Sequence, residues 1–149
     1  MWNYWYLQTA AQIIQSGILQ LTYQFNSMGF GKNFRWFWSD LPLGYAGANN
    51  VAISQATGDK IVLLNNDVVL LEQPKNLWLE MLARQFEINP QCGISCLVKE
   101  YSPPANVQFA VFFCVMIARK LFDEIGLLNT IYAPGAGEDT EFCIEAERA

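Results

Sequence analysis

The run Ile61-Val62-Leu63-Leu64, closed by Asn65-Asn66-Asp67, restricts the fold of this chain more than any other feature. A strand with one solvated face alternates apolar and polar residues, whereas an unbroken apolar run needs cover on both faces. Such strands occur chiefly in parallel sheets flanked by helices, so a parallel sheet is the expectation. The flanking segments agree. Ala48 to Ala56 has a helical pattern, and Gly58 suits a left-handed residue after it. Asn76 to Ile88 carries Leu77, Met81, Leu82 and Phe86 on one helical face, with Pro90 beyond its end.

Further on, Gly93 to Val98 reads as a second strand and Val107 to Ala118 as a third, separated by a loop that Pro103 and Pro104 impose. Arg119 to Ile125 reads as a short helix closed by Gly126. After the turn from Gly135 to Gly137 a last helix is predicted to start near Glu138 and run through Arg148. Strands alternating with helices give an α/β layered fold, a sheet with helices on both faces, and 149 residues suit one core. Before it, Ile13, Ile14, Ile18, Leu21 and Phe25 recur at helical spacing, and Gly29 to Pro42 reads as a loop. The chain therefore divides into an aromatic N-terminal segment, residues 1–42, and a layered domain, residues 43–149.

Composition removes several function classes. Apolar residues make up 52% of the chain and charged residues 15%, a balance that folds rather than stays disordered. The net charge of -5 comes from the second half, where five basic side chains face ten acidic ones after Lys75. Without clustered Lys and Arg the chain is not expected to bind nucleic acid. It contains no histidine, which removes the commonest zinc sites and any Ser-His or Cys-His pair, so a general base must be a carboxylate or another group. Cys92, Cys96, Cys114 and Cys143 form no CxxC pair and are expected to be buried, reduced thiols. No apolar stretch reaches the length of a membrane span and the start lacks a basic leader region, so a cytoplasmic location is the expectation. Trp2, Tyr4, Trp5 and Tyr6 fit a peripheral membrane contact or a protein partner through residues 1–25. Packing against protein is favoured, since that segment has no basic residue to meet anionic lipid.

Two acidic sites stand out by position. Asp67 follows the carboxyl end of a strand, where open α/β sheets bind ligands, and one carboxylate beside Asn65 and Asn66 suffices for Mg²⁺ or Mn²⁺ completed by substrate phosphates. The alternative is an ordinary Asn-Asp turn. Glu138 and Asp139 begin a helix after a Gly-rich turn, where exposed amides stabilise negative charge and a carboxylate can accept a proton. The alternative there is helix capping alone. The Gly44 to Gly47 segment lets a backbone approach a phosphate, although its spacing matches neither a Walker loop nor a dinucleotide fingerprint. Glu141, Glu145 and Glu147 read as a solvated helix face.

In order along the chain, GYAGANNVAISQATGDKIVLLNNDVVL, WLEMLARQFEINPQCGI, VMIARKLFDEIGLL and GEDTEFC resemble the family 2 glycosyltransferases of GT-A fold, over residues 43–149. The resemblance implies a Rossmann-like layered sheet and inverting transfer of a glycosyl group from a nucleotide-diphosphate sugar to an acceptor hydroxyl on a saccharide or lipid-linked acceptor. The family's metal-binding DxD motif falls on Asn65, Asn66 and Asp67, with Asp67 the matching carboxylate for a divalent cation, Mg²⁺ or Mn²⁺. Gly44, Asn50, Asn65 and Asn66 are implied as donor contacts, and Asp139, with Glu138 beside it, as the catalytic base. Departures are an Asn at position 65, Glu145 where the family often has Arg, and no counterpart in residues 1–42 to the family's first two strands. An incomplete first half, truncated at both termini, is therefore expected. The contrasting reading is a non-catalytic remnant or accessory module. A phospho-receiver domain is disfavoured because no acidic pair precedes Asp40.

Overall fold

A computed structural model describes residues 37, 39–65, 67–102 and 107–149. The elements in chain order are α1 (Gly44–Gln55), β1 (Lys60–Leu64), α2 (Leu77–Ile88), β2 (Ile94–Cys96), β3 (Lys99–Ser102), β4 (Val107–Ala110), β5 (Cys114–Ala118), α3 (Arg119–Ile125), a 3₁₀ turn (Thr130–Tyr132) and α4 (Glu138–Arg148). The helix expected between Leu7 and Phe25, the N-terminal aromatic cluster, Asn66 and the Pro103-Pro104 loop lie outside the described residues.

β5 is the centre of a three-stranded sheet of order β1-β5-β2, and β3 and β4 form a separate hairpin. Lys60 pairs with Ala118 and Leu64 with Cys114 on one side of β5, while Ile94 pairs with Ile117 on the other. Both pairings are antiparallel, which corrects the parallel expectation. On β1 itself Ile61 and Leu63 are buried, while Val62 and Leu64 are half-buried against the second core; the strand fully buried on both faces is β5. Every residue of β5 is buried, and its side chains alternate between two cores as the strand period requires. Val115 and Ile117 join Ile61, Leu63, Ala46, Ile53, Phe122 and Phe142 on one face, packed by α1, α3 and α4. Cys114 and Met116 join Leu79 and Leu82 of α2 on the other. Helices thus cover both faces, an α/β arrangement at the level of layers.

Three local expectations change. The apolar run from Val107 to Ala118 is two strands, because the chain turns at 111–113. The buried face of α2 is Leu79 and Leu82, with Met81 59% exposed, so the helix sits rotated from the predicted stripe. Gly58 is not left-handed. Gly44, Gly126 and Gly137 are the described glycines with positive φ. The end of α1 is held instead by Arg119, whose Nη2 donates to the Ala56 carbonyl at 2.6 Å and whose Nε donates to that of Gly58 at 2.7 Å. A cation on the last carbonyls of a helix both satisfies them and opposes the helix dipole. All four cysteines are free, but Cys92 and Cys96 are only half-buried.

Candidate functional site

The carboxyl end of β1 and the turn before α4 are linked through Tyr45 and the turn at 111–113. The Asn65 N–H donates to the Phe113 carbonyl at 2.8 Å, which ties the end of β1 to the turn that feeds β5. The adjacent Phe112 carbonyl accepts from the Tyr45 hydroxyl. The Tyr45 N–H in turn donates to the Pro134 carbonyl at 2.8 Å, in the turn that leads into α4. A continuous series of contacts therefore runs from Asn65 through the 112–113 turn and Tyr45 to the segment carrying Glu138 and Asp139.

Residues 133–137 are shaped closely for this junction. The Ala133-Pro134 peptide is cis, and Ala136 and Gly137 both have positive φ, 102° and 119°. A Cβ on Gly137 would lie 2.8 Å from the Tyr132 ring, so only glycine fits there. The backbone at Gly44 has φ 67°, and a Cβ there would meet the Pro134 carbonyl oxygen at 2.9 Å. The close backbone approach that Gly44 permits is thus made to Pro134.

The two predicted carboxylates on α4 differ in setting. Glu138 is buried and its Oε2 accepts from the Ala136 N–H at 2.8 Å, which braces the turn before the helix. Asp139 is half-buried, and its Oδ1 accepts from the Thr140 N–H at 2.7 Å within the first turn. Asp139 is therefore the more accessible of the pair. Asp67 is exposed in a turn two residues beyond Asn65, which is half-buried. Among the described residues no group of three or more His, Cys, Asp or Glu is placed to hold a metal ion. A donor set of one exposed carboxylate suits Mg²⁺ or Mn²⁺ when diphosphate oxygens complete the sphere.

Asn50, which the resemblance implies as a donor contact, is engaged within the fold. Its Nδ2 donates to the Leu128 carbonyl at 2.8 Å and its Oδ1 accepts from the Leu128 N–H at 3.0 Å, so the carboxamide brackets the segment after α3 onto α1. Glu141, read as part of a solvated face, accepts from Asn129 Nδ2 at 3.0 Å, while Glu145 pairs with Arg148 on the surface.

Tyr45, inside the Gly44 to Gly47 segment, carries no sequence signal of its own for a role at this junction. Burial foremost, then the negative charges of Glu138 and Asp139, hold its phenol well above the usual tyrosine range. It stays a hydrogen-bond donor across the physiological range. A shallow cleft of about 380 Å³ lined by residues including Lys60, Phe86, Cys92 and Arg119 opens at the opposite end of β1, away from these carboxylates. It contains none of the residues predicted for chemistry.

No protein-family model matches the chain. It is 24% identical over 147 residues to the uncharacterized protein y4gI of Sinorhizobium fredii (strain NBRC 101917 / NGR234), a match that covers 72% of this chain. The chain spans about 15% of the length of that relative.

Proposed function

We propose that residues 43–149 form part of a GT-A-type glycosyltransferase that moves a glycosyl group from a nucleotide-diphosphate sugar to an acceptor hydroxyl with inversion. The observation that supports this reading is the bonded series Asn65–Phe113, Phe112–Tyr45 and Tyr45–Pro134, which links the strand end before Asp67 to the turn before Glu138 and Asp139. Inverting displacement needs two such segments at one cleft: one carboxylate serves the departing diphosphate, and another removes a proton from the attacking hydroxyl.

In this reading Asp67 holds a divalent cation together with the donor phosphates, and Asn65 and Asn66 complete the sequence motif. A bound Mg²⁺ or Mn²⁺ supplies Lewis-acid stabilisation of negative charge on the leaving group. Asp139 accepts the acceptor proton, and Glu138 fixes the turn that orients it. Gly44 acts through its fit to Pro134. Among the described residues no helix is long and apolar enough to cross a membrane, and a cytoplasmic site of action, where nucleotide sugars are at hand, accords with that.

The test is thermal unfolding with Mn²⁺ and a panel of UDP- and dTDP-sugars. Stabilisation by at least one donor, lost in Asp67→Ala, supports the reading; the absence of a shift with every donor contradicts it.

One observation favours a second reading, a non-catalytic binding module. Val69 and Leu71, directly after Asp67, are 82% and 80% exposed, an apolar stretch of the kind that partners cover. Sedimentation that shows a clean monomer at every concentration would count against it.

A further inference from the structure

We infer that Tyr45 is the positioning residue that holds the metal-side and base-side segments of the proposed site in one register. Three contacts carry this, one to the turn before β5 and two to the turn before α4. Its hydroxyl donates to the Phe112 carbonyl, one residue from the carbonyl that anchors Asn65. Its N–H donates to Pro134 at 2.8 Å. Its Cβ faces Gly135 closely: a Cβ built on Gly135 would lie 3.5 Å from it and 3.9 Å from Glu138 Oε1. The side chain thus fills the space between the turn before β5 and the turn before α4. Its own carbonyl accepts from Asn49 Nδ2 at 2.9 Å, which fixes the first turn of α1 beneath it.

The phenol is suited to the task. A half-buried hydroxyl in the negative field of Glu138 and Asp139 stays protonated, so it donates continuously to a carbonyl that has no charge of its own. Removing the oxygen leaves the ring packed and frees the 112–113 turn from α1. Asn65 and Asp139 then keep their own local bonds but lose their common reference.

The inference rests on the transferase reading, and the experiment separates the two. Wild type and Tyr45→Phe are compared for Mn²⁺-dependent sugar transfer with whichever nucleotide sugar stabilises the wild type, and cooperative melting of both confirms that each is folded. The expected result is a kcat reduced about 10- to 100-fold in Tyr45→Phe with the donor KM changed less than about 3-fold, as loss of alignment without loss of binding produces. An active wild type with unchanged kcat in Tyr45→Phe overturns the positioning role alone. A rise in KM with unchanged kcat also overturns it, since that marks a binding contact. A wild type that transfers no sugar from any donor overturns the transferase reading and, with it, this inference.

Discussion

The Tyr45 hydroxyl donates to the carbonyl of Phe112, a bond that spans 67 residues of sequence and joins the start of α1 to the turn entering the central strand. Because Asn65 is tied to the next carbonyl of the same turn, the geometry of β1's end is set from α1 as well as from within the sheet. Disturbances on either side of this junction are therefore expected to be felt on the other.

Asn50→Ala is expected to lower stability by about 2 kcal/mol, because it removes two hydrogen bonds and leaves the Leu128 amide and carbonyl poorly satisfied. Chemical denaturation measures this directly. Donor-induced stabilisation should survive in the variant below its melting transition, since the carboxamide acts on the 126–129 segment.

Ala136 and Gly137 should respond in opposite directions. Ala136→Gly relieves a non-glycine residue at φ 102° and is predicted to raise stability by about 1 kcal/mol. Gly137→Ala drives a Cβ to 2.8 Å from the Tyr132 ring at φ 119° and is predicted to cost at least about 2 kcal/mol. Paired thermal melts of the two variants decide it.

Ser95 carries a buried hydroxyl oxygen without a hydrogen-bond partner, within a strand otherwise paired to β5. Ser95→Ala is predicted to be neutral or stabilising by up to about 1 kcal/mol, because it removes a desolvated group that makes no compensating bond. A loss of stability would show that the hydroxyl is satisfied in solution.

Alkaline pH should weaken the fold through Cys143. Burial pushes its thiol from 9.0 up to about 11, against the N–H that Ala110 donates to the sulfur. The folded state then binds more protons than the unfolded state between those values. Stability is fully present below pH 9 and falls by about 2 kcal/mol as pH rises to about 11. Tyr45, Cys96 and Cys114 are raised as well and add to the slope, so Cys143→Ala should flatten it in part. Denaturant titrations at both ends of that window check the sign.

Local chemistry made some of this molecule readable from its residues and left the rest hidden. The apolar run of β1 announced a strand with apolar contacts on both faces, one buried and one half-buried, and the Gly-rich turn before Glu138 announced the start of α4, since both signals are carried by a few adjacent residues. Strand direction is not encoded that way: Ile61 to Leu64 is equally apolar beside a parallel or an antiparallel neighbour. The turn at 111–113 is Val-Phe-Phe, without the Gly, Pro, Asn or Asp that marks turns, and so the two flanking strands read as one. On α2 the spacing of Leu77 and Met81 fits a helix as well as that of Leu79 and Leu82, and only the position of the sheet selects between them. Nothing local in the sequence marks Tyr45, because its partners lie 67 and 89 positions away, at Phe112 and Pro134.

The most direct test uses Mn²⁺ as a paramagnetic probe. Amide NMR spectra of the labelled chain are recorded with a stabilising nucleotide sugar and increasing Mn²⁺. If residues 65–67 and 138–140 border a single cation-containing cleft, their amide signals broaden together, and the broadening disappears in Asp67→Ala. Broadening confined to the end of β1, with the first turn of α4 untouched, would contradict a shared cleft.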